Sequence, residues 1–442
     1  TLGEYIEKWH VKKADWKGEH ELEVLGVSNV EGITTTSHVK SQDLSGYLVI
    51  EPNTFAYNPY RINVGSVGLT PNNVFGVVSP AYIVFKVREG KLIPELLLEF
   101  LKSFDGLQQI NKYARGTVRK ALRFDDLCKI EVNFPDYNEQ KNIFEKKLIV
   151  EKKSDELETE IQTQKQLLSQ LKQSILQEAI QGKLTADWRA LRQAQGQIEP
   201  ASELLKRIKV EKNQLIKDKK IRKEKPLPPI TEDQIPFELP EGWVWCRLGE
   251  IVVNADNLDI QKYLSPTETI NYVDIDAIDN TRQVIKEPKK LPVRELSSRA
   301  RRVLKKGQIL YSLVRPYLHN LAIVEEDKPN FIGTTGFAVF DCIEIKNKYV
   351  FWLLLSKYIE DLYLSFMDGF NSPSITHDQF RGTIIPIPPI AEQTAIIEKV
   401  ELVISMCHSL EVEITHSEKQ AQLLMQAVLQ EAFESKKEEA HA

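Results

Sequence analysis

The sequence predicts an α+β chain, with two mixed α/β domains in a tandem repeat separated by two long helices that pair as a coiled-coil spacer. Three observations lead there. At 442 residues the chain exceeds one ordinary hydrophobic core. One stretch recurs, without a gap, 253 residues further on. Each copy of that stretch opens a long run with apolar residues at helical spacing.

The first domain is expected at residues 1–137. Val74–Val78 and Tyr82–Val87 alternate β-branched and aromatic residues as strands do, and Leu92–Phe104 has the apolar spacing of a short helix. The first spacer helix is expected at 138–185. Asn138-Glu139-Gln140 offers a helix start with acidic residues near its positive end. No Pro or Gly follows until Gly182, a natural stop. Apolar residues recur at Ile143, Phe144, Leu148, Leu157, Ile161, Leu167, Leu168, Leu171, Ile175 and Leu176. About 40 residues of helix span roughly 60 Å.

A charged helical and Pro-rich linker is expected at 186–236: the helix Ala201–Lys225, then the stiff Pro226-Leu-Pro-Pro229. The second domain is expected at 237–390, with strands at Ile309–Val314 and Phe337–Phe340 and a helix at Lys348–Leu364. The second spacer helix, at 391–442, carries Ile396, Val400, Val403, Leu410, Ile414, Leu423, Leu424 and Leu429. A lone helix buries neither stripe, so the two are expected to pair, parallel or antiparallel.

The repeat itself fixes these equivalences. Pro135, Glu139, Gln140, Ile143, Glu145, Lys146 and Val150 recur as Pro388, Glu392, Gln393, Ile396, Glu398, Lys399 and Val403. The same shift carries Gly116, Leu122, Asp125 and Leu127 onto Gly369, Ile375, Asp378 and Phe380, and Gln173–Ile180 onto Gln426–Phe433. Near the start, Leu2-Gly3-Glu4 resembles Leu248-Gly249-Glu250, while Tyr57 and Arg61 match Tyr311 and Arg315. Between these points the halves differ strongly, so variable globular regions stand on similar tails.

Hydrophobic residues make up 42% and charged residues 27%, the mix of a globular protein. No apolar run is long enough to span a bilayer, and the first residues do not form an export signal. The four cysteines lie far apart and form no C-x-x-C, which suits a reducing cytoplasm and speaks against a zinc site or a disulfide framework. Because the chain opens on Thr1, preceding residues are expected to be missing. The net charge of −5 lacks the strongly basic footprint of a stand-alone DNA-binding domain. Local basic stripes nonetheless run through Lys112–Arg123, Arg294–Lys306 and Lys206–Lys225; each by itself reads first as a solvated face.

Catalytic chemistry is not assembled. Pro135-Asp136 with Glu145 and Lys147 only weakly matches a metal-dependent nuclease, and the repeat places Pro389 where Asp136 stands. Asn58-Pro59-Tyr60 is one proline short of a methyltransferase loop, and no G-x-x-x-x-G-K-[ST] marks a nucleotide-driven motor. The histidines are scattered; His319 and His377 read as surface or groove residues rather than metal ligands.

Phe237-Glu-Leu-Pro-Glu-Gly-Trp-Val-Trp245, leading to Arg247-Leu-Gly-Glu-Ile251, resembles the opening of a target-recognition domain in specificity (S) subunits of type I restriction–modification enzymes. Ile385-Pro-Ile-Pro-Pro389 with Ala391-Glu-Gln393 resembles its close, and Gln170–Ile180 with Gly182-Lys-Leu-Thr185 the family's central spacer helix. The first half departs from the pattern by lacking the Pro-Glu-Gly-Trp lead-in and by reading Phe-Pro-Asp for Ile-Pro-Pro. The resemblance implies a non-catalytic, cytoplasmic subunit for bacterial defence. Each recognition domain would read one half of a bipartite asymmetric site in double-stranded DNA. The spacer would dock two methyltransferase (M) subunits carrying S-adenosylmethionine, and motor-nuclease (R) subunits using ATP and Mg would join them; no cofactor is expected in this chain. The alternative is a coiled-coil scaffold binding only protein partners; a DNA-reading piece of a fused restriction enzyme is a third reading.

Three sets of residues are candidates for contacting DNA. The first is the loop of Arg115, Thr117, Arg119 and Lys120 with its counterpart Asn371, Ser372 and Ser374, where glycine permits close backbone approach and the side chains suit bases or phosphates. An ordinary polar turn would look the same. The second is Arg61 and Ser66 with Ser312, Arg315, Tyr317 and His319; the third is Thr334 and Thr335.

Overall fold

The computed structural model describes residues 1–36, 43–116, 120–194, 196, 198–255, 257–367 and 373–434; within the last helix, the side chains of 425, 426 and 428–434 are not among those described. The chain divides into two units, Thr1–Glu158 with Gln420–Ala442, and Thr159–Lys419.

In unit 1, strands β1 (Ile6–Lys8), β2 (Glu23–Ser28), β3 (Gly32–Thr35), β4 (Leu48–Ile50), β5 (Thr54–Tyr57), β6 (Val67–Leu69), β7 (Gly76–Val78) and β8 (Ile83–Val87) form two four-stranded sheets, ordered β1-β8-β5-β6 and β3-β2-β7-β4. Alternation along the strands explains the layering. Phe55, Tyr57 and Phe85 point to helices α1 (Pro94–Lys102), α2 (Phe104–Tyr113) and α3 (Phe124–Leu127), packing with Leu97, Leu101, Ile110 and Leu127. Their neighbours Ala56 and Val84 point the other way, onto Leu25, Leu48, Ile50 and Val78 of the second sheet. The first sheet is thus the buried middle layer, which its near-continuous apolar sequence requires.

Helix α4 (Tyr137–Ile180) leaves unit 1 and enters unit 2. Its first amides are capped by Asp136, whose Oδ1 accepts from the backbone N–H of Asn138 and Glu139 at 2.9 and 3.0 Å. After it come α5 (Ala186–Ala194) and α6 (Ala201–Lys217), which stops short of the Lys225 end expected from charge alone; Lys219 takes a left-handed φ of 56°. Then follow β9 (Val244–Arg247), α7 (Leu248–Ile251), β10 (Val252–Asn254), β11 (Thr269–Val273), β12 (Ile278–Asp279), β13 (Val284–Ile285), β14 (Lys289–Pro292), β15 (Ala300–Val303), β16 (Ile309–Ser312), β17 (Leu321–Ile323), β18 (Phe331–Thr334) and β19 (Phe337–Cys342). The unit closes with α8 (Asn347–Leu354), α9 (Lys357–Phe366), α10 (His377–Gly382), β20 (Ile384–Ile387) and α11 (Ile390–Glu434), the last running on beyond it.

Unit 2 repeats the topology of unit 1 strand for strand. Its sheets are ordered β10-β19-β16-β17 and β14-β11-β18-β15, with one parallel pair, β11 and β18, where unit 1 pairs β2 and β7 in parallel. Ile309 and Tyr311 face the helices, while Leu310, Phe337 and Val339 face the second sheet. Unit 2 adds the β12–β13 hairpin and the pair β9–β20. The single helix expected at Lys348–Leu364 is two, because Ser356 is buried, donates its Oγ to Leu353 O at 2.6 Å and turns the chain between α8 and α9.

The recurring glutamine has a physical role. Gln140 is fully buried; its Oε1 accepts from Ile93 N at 2.9 Å and its Nε2 donates to Pro135 O at 2.8 Å. Gln393, equally buried, accepts from Lys346 N at 3.0 Å and donates to Pro388 O at 3.1 Å. Every partner is displaced by the same 253 residues. One amide side chain therefore staples the start of each long helix to the segment before α1 or α8 and satisfies backbone groups that would otherwise be buried unpaired.

Within unit 2, α4 and α11 pair antiparallel. Lys165 and Lys172 reach Glu418 and Glu411, each at 2.7 Å, so seven residues forward on one helix match seven back on the other. The seam buries Ile161, Leu168, Cys407 and Ile414, with Val403 partly covered. Leu167, Leu171 and Leu410, counted in the sequence stripes, stay 58, 43 and 46% exposed. Two helices bury one heptad seam and no more, which leaves the rest of a wide stripe outside it.

Candidate nucleic-acid interface

In unit 2 four segments meet at the end of β16. Thr335 N donates to Arg299 O at 2.8 Å, Leu313 N to Gly336 O at 3.0 Å, Ile375 N to Leu313 O at 2.9 Å, and Arg315 N to Pro373 O at 2.8 Å. This ladder sets Arg299, Thr335, the loop Leu313–Asn320 and the loop ending at Ser374 side by side. Ser374, the described member of the first candidate set, thus meets the second and third sets of this half. Arg315 and His319 both adopt left-handed backbone, φ 48° and 51°, which non-glycine residues seldom hold without surrounding constraint. Asn280, in the β12–β13 hairpin, fastens that hairpin to the loop through Nδ2 to Leu318 O at 2.9 Å.

Unit 1 repeats one rung of this ladder. Leu122 N donates to Pro59 O at 3.0 Å, joining the loop Arg115–Ala121 to the turn Asn58–Ser66. Gly65, φ 84°, takes the left-handed position that His319 holds in unit 2. Arg115 is well exposed but anchored: its Nη2 lies 2.7 Å from Asp126 Oδ1, which Lys129 also reaches at 2.8 Å. The Lys129 hydrogen bond, with Arg115 beside it, holds the Asp126 carboxyl below its usual range. Arg61 and Lys120 are exposed.

The candidates separate by burial. Arg61, Arg115, Lys120, Arg315, Tyr317 and Ser374 are exposed; Thr335 and His319 are half-buried. Ser66, Ser312 and Thr334 are buried, and their hydroxyls face their own backbone: Ser66 donates to Val27 O at 3.1 Å, Ser312 to Val314 O at 2.8 Å, and Thr334 accepts from Gly336 N at 3.3 Å. These three shape the loops and do not present a group to a base. Thr117, Arg119, Asn371 and Ser372 lie outside the described residues. Sequence reasoning passed over Tyr60 as a contact, 58% exposed beside Arg61, and placed Arg299 only in a basic stripe; the backbone ladder brings it to the loops.

Two histidines make unit 2 sensitive to acid. Burial lowers the pKa of His319, although Glu360 Oε2 at 3.4 Å opposes this. Burial, then Arg302, lowers that of His377, whose Nε2 lies 3.3 Å from Arg302 Nη2. Both therefore bind protons more weakly folded than unfolded, so their stabilisation is present above the ordinary value of 6.5 and is lost as pH falls through it. The melting temperature of unit 2 is expected to drop between pH 7.5 and 5.5, and His377→Gln to flatten that slope. Thermal scans across pH test this; equal slopes in both proteins would show that His377 contributes nothing.

Residues 11–167 and 240–417 each match the type I restriction modification DNA specificity domain. The chain belongs to this family. Two specificity domains thus stand in tandem, and the duplicated sheets are their frames. The chain is 33% identical over 272 residues to the specificity subunit of the type I restriction enzyme EcoEI of Escherichia coli, covering 59% of this chain and 44% of that one. It is 34% identical to that of EcoAI, also of Escherichia coli, over the same shares. The matched stretch spans less than half the length of these curated relatives. A solved chain from work on complex assembly and conformational transition of the type I restriction–modification system covers 98% of this one, with 96% of its own length, at TM-score 0.56 and 15% identity; it shows the shared fold. Among the described residues no helix is long and apolar enough to cross a membrane.

Proposed function

We propose that this chain is the sequence-reading subunit of a type I restriction–modification complex, each specificity domain reading one half of a bipartite, asymmetric site in double-stranded DNA. The observation carrying this is the duplicated strand frame, whose loops bear Arg61, Arg115 and Lys120 in one unit and Arg315, Tyr317, His319, Thr335 and Ser374 in the other. Frames of equal geometry with different exposed side chains are what two readers of different half-sites need. Two methyltransferase subunits, carrying S-adenosylmethionine, dock on the paired helices, whose exposed Leu167, Leu171, Leu402 and Met406 offer them an apolar face. Motor-nuclease subunits using ATP and Mg complete the restricting assembly, and this chain carries no catalysis of its own. Family membership and the loop clusters favour this reading over a scaffold that binds protein alone.

Mapping methylated adenines in cells that express the chain with its methyltransferase tests the proposal; a bipartite motif is expected, and methylation without any motif would overturn it. Reversing the charge of Arg115, Arg119 and Lys120 together is expected to weaken DNA binding by the assembly. Each lost bidentate base contact costs about 1–3 kcal/mol, and each lost phosphate contact lowers the salt slope by about one. Unchanged affinity and slope in a folded variant would remove this loop from the interface.

A further inference from the structure

Beyond the loop cluster, unit 2 holds a cleft of ≈630 Å³ where two basic segments distant in sequence converge. One wall is the turn after α6, with Lys220 and Lys223; the other is the end of β15, with Lys305. The acidic groups lining it are already engaged. Glu224 pairs with Arg381 at 3.0 Å and accepts from Asn254 Nδ2 at 3.0 Å, and Asp341 accepts from Gln308 Nε2 at 3.0 Å. Lys220, Lys223 and Lys305 are exposed and make no ion pair among the described residues. The lining is therefore strongly positive, Lys212, Lys220, Arg222, Lys223, Arg302 and Lys305 outnumbering the two carboxylates Glu224 and Asp341, and its three exposed lysines have no ion-pair partner among the described residues.

The chain links the cleft to the reading loops through one short strand. Arg299 lies in the backbone ladder beside Thr335, Arg301 O accepts from Leu258 N at 2.9 Å, and the chain then runs through β15 to Lys305 at the cleft. These six residues extend at most about 20 Å, the rise of about six base pairs. We propose that this cleft binds the phosphodiester backbone of the same DNA duplex whose bases unit 2 reads, so that the segment between α6 and β9 is a second, sequence-independent grip. The inference rests on the proposed DNA-reading role and adds its phosphate contacts.

The test uses the full chain assembled with its methyltransferase subunits and a duplex carrying the mapped site. In K220Q/K223Q/K305Q, the slope of log affinity against log salt is expected to shrink by roughly 2 to 3, with affinity at 0.1 M salt down on the order of ten- to a hundredfold. The methylated motif stays unchanged, and K220R/K223R/K305R retains the original slope. An unchanged slope in the glutamine variant overturns the proposal, as does a changed motif, which would make the cleft a base reader. The unaltered assembly separates this from the reading beneath it: methylation without a bipartite motif overturns that reading, while a slope difference between the two assemblies still supports the cleft.

Discussion

Replacing Glu392 with alanine is expected to destabilise unit 2 by about 3–5 kcal/mol, the usual cost of removing one partner from a buried ion pair. Glu392 has no exposed surface. Its Oε1 accepts from Thr185 Oγ1 at 2.7 Å and from Arg189 Nη2 at 2.9 Å, and its Oε2 accepts from Trp243 Nε1 at 2.9 Å. The Arg189 guanidinium also donates to Gly182 O and lies 5.7 Å from the Trp243 ring centroid. Four segments, the turn after α4, helix α5, the lead-in to β9 and the start of α11, are thus tied at one carboxylate. Alanine strands a guanidinium and an indole N–H in a closed space, and the melting temperature should fall by roughly 10 °C. Glu139, its repeat equivalent, is only half-buried, so Glu139→Ala should cost much less. Thermal unfolding of both variants decides this; a drop below about 2 °C for E392A would show that the cluster is dispensable.

The second large effect is on spacing. Four residues inserted after Glu160 in α4 and four after Gln420 in α11 leave the buried seam and both cross-helix ion pairs intact. Each insertion adds about 6 Å of helix, close to one full turn. If the paired helices act as the ruler of the proposed assembly, the recognised gap lengthens by one or two base pairs, since DNA rises about 3.4 Å per pair. The bases read in each half remain the same because no loop has changed. Inserting in α4 alone leaves the pair unmatched and should abolish methylation at either spacing. Mapping methylated sites before and after provides the readout; a constant gap with altered half-site bases would exclude the ruler.

The sequence carried the architecture further than the site. The 253-residue register exposed the tandem plan and both long helices, because Gln140 and Gln393 satisfy equivalent buried backbone groups in each half. The shared strand order was not legible, since a strand requires only alternation and the halves alternate with different residues. Helix ends slipped for local reasons: Asp136 caps α4 although its repeat counterpart is proline, and Ser356 divides α8 from α9. At the site, residue type misled for Ser66, Ser312 and Thr334, because short hydroxyls bond as readily to nearby backbone as to a ligand. Arg299 stood in a basic stripe with no assigned place, because only tertiary folding brings it to Thr335.

The identical glutamine staples bear on heredity as well as on folding. A crossover between the two coding copies, aligned at Gln140 and Gln393, excises 253 residues in frame and joins the first unit's loops to the second unit's helix. Because Gln393 takes the same two backbone partners as Gln140, the fused product meets its new neighbours in the old register. Reciprocal exchange between related genes at these points would likewise transplant a whole specificity domain without disturbing the joint beneath it. The fold thus presents its two specificity domains as interchangeable cassettes.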